Sequence, residues 1–194
     1  MTNLKDIYTD AWYKKRLMGR VENSAAIMVP DIIKEFAPRD LIDFGCGACN
    51  FANRFSKRGL RPVVAVDGPS HSAKYSAPEV ISVVHDLRHP FRLGRRFDMV
   101  FCVEVIEHVE PKFEDEVIKT LINHTERYVL LTAAPEGQGG RHHVNCKPTR
   151  YWKDKFIGKG FRHKREIVER LKVKWEKSGK VARWYYQNLM VFEK

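Results

Sequence analysis

The sequence predicts an α/β fold, a Rossmann-like doubly wound and mainly parallel sheet with helices on both faces. Short apolar runs alternate with amphipathic stretches along the chain, the pattern of successive βαβ units. One apolar run enters the glycine turn Gly45-Cys46-Gly47, and a helix-like stretch leaves it. Two later apolar runs end at or near the aspartates Asp67 and Asp86. A length of 194 residues suits one domain with a sizeable core.

Taken in order, Asp6 to Met18 reads as a first helix. Asn23 to Phe36 reads as a second, with Ala26, Ile27, Ile33 and Phe36 on one face. Asp40 to Phe44 is the first strand, and the helix after the turn runs from Cys49 to Arg58. Pro62 to Val66 and Val80 to Val84 are the second and third strands, and Phe97 to Cys102 is a strongly apolar fourth. A helix over Lys112 to Glu126 turns Val117, Leu121 and Ile122 inward, before a fifth strand from Tyr128 to Ala133. The loop Glu136 to Gly140 leads to His142 and His143. Beyond it come a helix from Thr149 to Ile157 and a short strand near Phe161. Ile167, Val168, Leu171 and Trp175 then recur at helical spacing toward a stop at Gly179. Trp184 to Phe192, rich in aromatic and β-branched residues, reads as the last strand. Within one domain over 1–194, residues 1–38 form a helical lid, 39–135 the binding core and 136–194 a basic, substrate-side part.

No run approaches the roughly 18 apolar residues of a membrane span. Met1 to Arg20 carries Asp6, Asp10 and several lysines without an apolar centre, which points away from a secretory leader. Four cysteines are too few for a disulfide scaffold, so a reducing, cytoplasmic setting is expected. The net charge is +11, and all of it lies late in the chain: residues 1–140 balance 19 basic against 19 acidic side chains, whereas residues 141–194 hold 16 against 5. Such an excess suits either a polyanionic partner or a solvated face.

The glycine turn carries most of the functional information. Its glycines permit positive φ and a close ligand approach, and the following helix offers unpaired N–H groups. Asp67 lies at the end of the next strand, where a carboxylate can accept both hydroxyls of a ribose. Asp86 ends the third strand region and faces the same crevice, toward an adenine edge. Asp43, immediately before the turn, would repel a pyrophosphate and suits a cationic sulfonium or ammonium group instead.

These residues resemble the class I S-adenosylmethionine-dependent methyltransferases over Asp40 to about Ala133. Asp43-Phe44-Gly45-Cys46-Gly47 is similar to the family's first motif, Val66-Asp67 to its ribose acid, and His85-Asp86-Leu87 to its adenine segment. Phe97 to His108 is similar to the fourth strand and the stretch after it. The resemblance implies a seven-stranded sheet with the last strand antiparallel, and S-adenosyl-L-methionine as cofactor. It implies that Gly45, Cys46 and Gly47 line the methionine part. Asp67 and Gly68 would hold the ribose, Asp86 and Leu87 frame the adenine, and Cys102, Val103 and Glu104 close over the sulfonium. The sequence departs from the family at Cys49, which replaces the usual third glycine.

Cys46 and Cys49 form a C-x-x-C, read as small buried thiols in preference to a zinc or redox pair. His143 is the expected general base for the acceptor, with His108 beside it. Glu104, Glu107 and His108 form E-x-x-E-H; if that segment is helical, Glu104 and His108 share a face. With His143 they make a less favoured set for a divalent metal, similar to metal-dependent O-methyltransferases that include small-RNA 2′-O-methyltransferases. Trp12, Tyr13 and Arg20 are expected to cover the cofactor. The leading expectation is methyl transfer to an oxygen or nitrogen of a small-molecule or nucleic-acid acceptor. A non-catalytic nucleic-acid-binding module is the alternative.

Overall fold

Residues 3–194 are described by a computed structural model; Met1 and Thr2, the start of the expected lid, lie outside the described residues. Helices α1 (Leu4–Ile7), α2 (Asp10–Arg16) and α3 (Arg20–Phe36) precede β1 (Leu41–Phe44). Then come α4 (Asn50–Lys57), β2 (Val63–Asp67), β3 (Val80–Val84) and β4 (Phe97–Val103). The chain continues through α5 (Glu114–Asn123), β5 (Thr125–Thr132), α6 (Thr149–Ile157) and β6 (Arg162–His163). It ends with α7 (Arg165–Ser178), α8 (Arg183–Gln187) and β7 (Met190–Glu193).

The strands form one seven-stranded sheet in the order β3-β2-β1-β4-β5-β7-β6. Strands β1 to β5 pair in parallel, and β7 runs antiparallel to both β5 and β6. Both faces are covered. Met28 and Ile32 of α3, Phe55 of α4 and Trp175 of α7 pack with Phe101 on one side. Leu121 of α5 and Trp152 and Phe156 of α6 pack with Val100 and Phe192 on the other. Burial on both faces explains why β1 and β4 read as continuous apolar runs rather than alternating ones. Every strand of the parallel part points its carboxyl end to the same edge of the sheet.

Four expected elements differ. The single helix over Asp6 to Met18 is two short helices, because the Thr9 side chain accepts from the Trp12 amide (3.4 Å) and starts a new helix. The helix over Lys112 to Glu126 is α5 alone, preceded by a 3-10 turn at Pro111–Phe113. Strand β5 begins at Thr125 rather than Tyr128. Trp184 to Phe192 is not one strand: Arg183–Gln187 is helical, and only Met190–Glu193 joins the sheet. There the Tyr185 ring packs edge-on against Phe51 of α4 (5.4 Å between centroids), so packing against the helical layer overrides the β propensity of the aromatics. Helix α7 stops where expected, at Gly179 with φ +62°. Among the described residues no helix is long and apolar enough to cross a membrane.

Phe101 lies on the middle strand pair, fully buried between the rings of Phe51 and Phe55. Phe101→Ala should lower the free energy of unfolding by about 3–5 kcal/mol, measured by urea denaturation.

Candidate functional site

The glycine turn is built for close approach. Gly45 has φ +71°, and a Cβ there would overlap the methyl groups of Val105, so only glycine fits. The Gly45 and Cys46 amides donate to the Val66 carbonyl (2.8 and 3.1 Å), fastening the turn to the end of β2. The Gly47 amide donates to Asp67 Oδ2 (2.8 Å). Cys49, at the position of the family's third glycine, takes the left-handed conformation itself (φ +56°) and leads into α4.

Because the parallel strands end together, Asp43, Asp67 and Asp86 line one cavity of about 350 Å³ with Gly45 and Gly47, in the size range of small-molecule sites. Cys46, Gly68, Leu87, Val103 and Glu104 line it too. Cys102 does not: it points into the opposite core with Val100 and Leu131, since successive residues of a strand face opposite ways. Asp86 reaches the wall, but the Arg88 guanidinium grips both of its oxygens (Nε to Oδ1 3.0 Å, Nη2 to Oδ2 2.6 Å).

The three carboxylates differ electrically. Burial, with Asp67 nearby, pushes the Asp43 carboxyl well above the usual range. A cation opposite would restore its charge. Burial likewise pushes Asp67 up to about 6, against the hydrogen bonds from Gly47, Tyr13 and Gly68 that favour its ionised form. Asp86 is held below its usual value despite desolvation, because Arg88 pairs with it.

Helices α1 and α2 cover the cavity. The Tyr13 hydroxyl donates to Asp67 Oδ1 (3.0 Å). Tyr8, Trp12 and Arg16, four residues apart, all line the wall, and the Arg16 guanidinium stacks 3.4 Å from the Trp12 ring centroid. The expected Arg20 is exposed and not part of this wall. The Tyr8 hydroxyl and Trp12 Nε1 are buried without a protein partner. Tyr8 and Arg16 were not foreseen, although their spacing with Trp12 was a readable signal.

Beyond β4 the chain does not turn helically at Glu104, which has φ +53°; the first regular turn is the 3-10 segment Ile106–His108. Glu104 and His108 therefore do not share a helical face. Instead Glu107, His108 and His143 come together, with one ligand-type atom from each within 4.8 Å of the others. Glu104 is taken by two amides, Gln138 Nε2 donating to Oε2 (2.6 Å) and Asn188 Nδ2 to Oε1 (3.2 Å). The Val144 and Asn145 amides donate to the Glu107 carbonyl (2.9 and 3.0 Å), which docks the histidine loop.

Glu107 is 0% exposed, and neither carboxylate oxygen has a donor in hydrogen-bond geometry. Burial, with the Glu104 carboxylate beside it, pushes its carboxyl well up. His108 Nδ1 lies 3.1 Å from the His142 carbonyl, and His143 Nδ1 3.1 Å from the Gln138 carbonyl. A carbonyl only accepts, so each Nδ1 carries a proton and donates it there, leaving each Nε2 as the nitrogen free to meet a ligand. Burial and the neighbouring His143 hold His108 down to about 4, so it is neutral at pH 7. A fully buried acid and two imidazoles whose Nδ1 atoms are already engaged suit a divalent cation or a proton acceptor.

Gly140 lies directly over the His143 ring, which a Cβ at that position would overlap. Gly140→Ala should therefore displace the imidazole and separate it from His108, read as a shift of both histidine ring signals in NMR spectra with the thermal midpoint unchanged.

A family model described as a methyltransferase domain matches residues 20–154. No curated protein sequence matches the chain. Among solved structures, magnesium protoporphyrin IX methyltransferase (ChlM) from Synechocystis PCC 6803, with bound SAM, is similar with a TM-score of 0.65 at 16% identity, over 98% of this chain and 88% of that one. The methyltransferase domain of bacterial CtHen1-C gives a TM-score of 0.61 at 15% identity, over 89% and 96% of the two chains. DesVI from Streptomyces venezuelae gives 0.55 at 19% identity, over 72% of this chain; the match spans only 61% of DesVI. These likenesses establish the fold, and the family model, which spans well over half of the chain, establishes the family. The chain belongs to the methyltransferase-domain family, in the class I S-adenosylmethionine-dependent group.

Proposed function

We propose that this chain moves the methyl group of S-adenosylmethionine to a hydroxyl oxygen held against Glu107, His108 and His143. The observation that carries the acceptor side is the fully buried Glu107 side chain grouped with His108 and His143, whose Nδ1 atoms are each engaged by a carbonyl.

The cofactor supplies an electrophilic methyl on a sulfonium. The residues around the cavity fit it: Gly45 and Gly47 leave the backbone bare, Asp67 is placed for the ribose hydroxyls, and Asp43 and Glu104 offset the positive sulfur. Arg16, which lines the same wall and stacks on Trp12, is placed for the cofactor's carboxylate. Tyr8 and Trp12 close the top and keep water out, so the chain's main contribution is alignment and shielding.

Glu107, His108 and His143 fit a divalent cation, which at that position would bind the acceptor oxygen and lower the pKa of its proton. A cation would also answer the repulsion between the Glu104 and Glu107 carboxylates. The second reading dispenses with it: His143 Nε2 takes the acceptor proton directly. Its support is the same Nδ1 hydrogen bond to the Gln138 carbonyl (3.1 Å).

The late basic excess supports a polyanionic acceptor less than its size suggests. Lys155 pairs with Glu114 and Asp115, Arg170 with Glu35, and Lys174 with Asp31. Those charges are engaged with acidic side chains from earlier in the chain. We therefore place a small hydroxylated acceptor ahead of a nucleic acid, and the enzyme ahead of a binding module.

Two measurements test the reading. Because Asp67 accepts at both oxygens, as the two ribose hydroxyls require, only when ionised, calorimetric affinity for S-adenosylhomocysteine should fall as pH drops through about 6. Asp67→Asn should weaken it by about 1.5–3 kcal/mol and flatten that dependence. An unchanged affinity would remove Asp67 from the ribose. Titration of Mn²⁺ into the protein with S-adenosylhomocysteine present should show one site, abolished by Glu107→Gln and by His143→Ala. No heat in the parent protein would leave the metal-free reading.

A further inference from the structure

The C-x-x-C of the glycine turn has no part in the proposed methyl transfer, yet its geometry is specific. The two Sγ atoms lie 3.6 Å apart. Cys46 is half-buried in the cavity wall and Cys49 fully buried behind it. Cys49 also holds a left-handed backbone, φ +56°, a conformation that disfavours residues with a Cβ. That strained cysteine brings its thiol against the only other thiol of the turn.

We propose that Cys46 and Cys49 are a redox modification site, closing reversibly to a disulfide that weakens cofactor binding; this rests on the reading of the turn as the cofactor site. The chemistry needs a small disulfide as oxidant, such as oxidised glutathione. The Cys46 thiol, the accessible one, loses its proton to solvent and attacks one glutathione sulfur. That breaks the glutathione S–S bond and expels one glutathione thiolate. The Cys49 thiol then loses its proton and attacks Cys46 Sγ, forming the internal bond and expelling the second glutathione. Two protein thiols are oxidised, and one disulfide is reduced to two thiols. The hydrogen bond from Cys49, then desolvation and the Asp67 and Asp43 carboxylates, push the Cys46 thiol up, so exchange is slow at neutral pH.

Closure must alter the turn, because a disulfide bond is about 2.05 Å long and the sulfurs stand 3.6 Å apart. The start of this stretch is fastened: the Cys46 amide is bonded to the Val66 carbonyl (3.1 Å) and the Gly47 amide to Asp67 (2.8 Å). Drawing Cys46 toward Cys49 pulls on the Gly47–Asp67 hydrogen bond, which sets the position of the proposed ribose acid.

The test uses the full chain with oxidised glutathione over a long incubation, peptide mapping, and calorimetry with S-adenosylhomocysteine. Mapping should find a Cys46–Cys49 bond, and affinity should fall about tenfold or more and return with dithiothreitol. Cys49→Gly suits the left-handed backbone and cannot form the bond, so its affinity should not respond to oxidant. The proposal is overturned if no such bond forms, if it forms with affinity unchanged, or if Cys49→Gly loses affinity equally. Reduced protein that does not bind S-adenosylhomocysteine would overturn the cofactor reading and the switch with it, whereas bond formation would still be read by mapping.

Discussion

The half-buried Asp67 carboxylate ties together the turn, the second strand and the lid. One oxygen accepts from the Gly47 amide (2.8 Å) and the other from the Tyr13 hydroxyl (3.0 Å). These donors satisfy a carboxylate that is partly withdrawn from water in the cavity wall. The lid packs against the turn because Tyr13 reaches Asp67, and Tyr8, Trp12 and Arg16 thereby line the same cavity. The cavity wall and the path to it therefore depend on one side chain at the end of β2.

The acceptor side is organised by a different constraint, the abrupt end of β4. Glu104 leaves the strand with a left-handed backbone, so the chain crosses over the sheet edge instead of continuing into a helix. That bend sends Glu107 inward and lets the Val144 and Asn145 amides dock on its carbonyl. His108 and His143 are then each fixed by a carbonyl at Nδ1. The strain at Glu104 lies beside the proposed acceptor site, as backbone strain at functional sites commonly does. Two amides hold that residue in place, one from the loop and one from the segment between α8 and β7.

The match between sequence and fold follows from how each signal arises. β1 and β4 were legible because strands covered on both faces need uninterrupted apolar runs, and the turn because Gly45 admits no side chain. The first helix and the last strand were misread for a shared reason. Thr9 splits α1 from α2 by a local hydrogen bond, and Trp184 and Tyr185 become helical through contacts with α4 and α7, which no local pattern encodes. Cys102 was placed at the cavity by its position in the motif, but strand alternation turns it into the core.

For the site, the residue types and their order along the chain were sufficient to assemble Asp43, Gly45, Gly47 and Asp67, because parallel strands necessarily end on one edge. The partners of those groups were beyond reach. That Arg88 folds back on Asp86 two residues away and that Arg16 rather than Arg20 faces the cavity depend on side-chain direction, and that Glu107 joins His143 while Glu104 pairs with Gln138 and Asn188 depends on contacts across long separations. A linear pattern records which residue stands at the end of a strand. Only the packed chain decides which neighbour answers its charge.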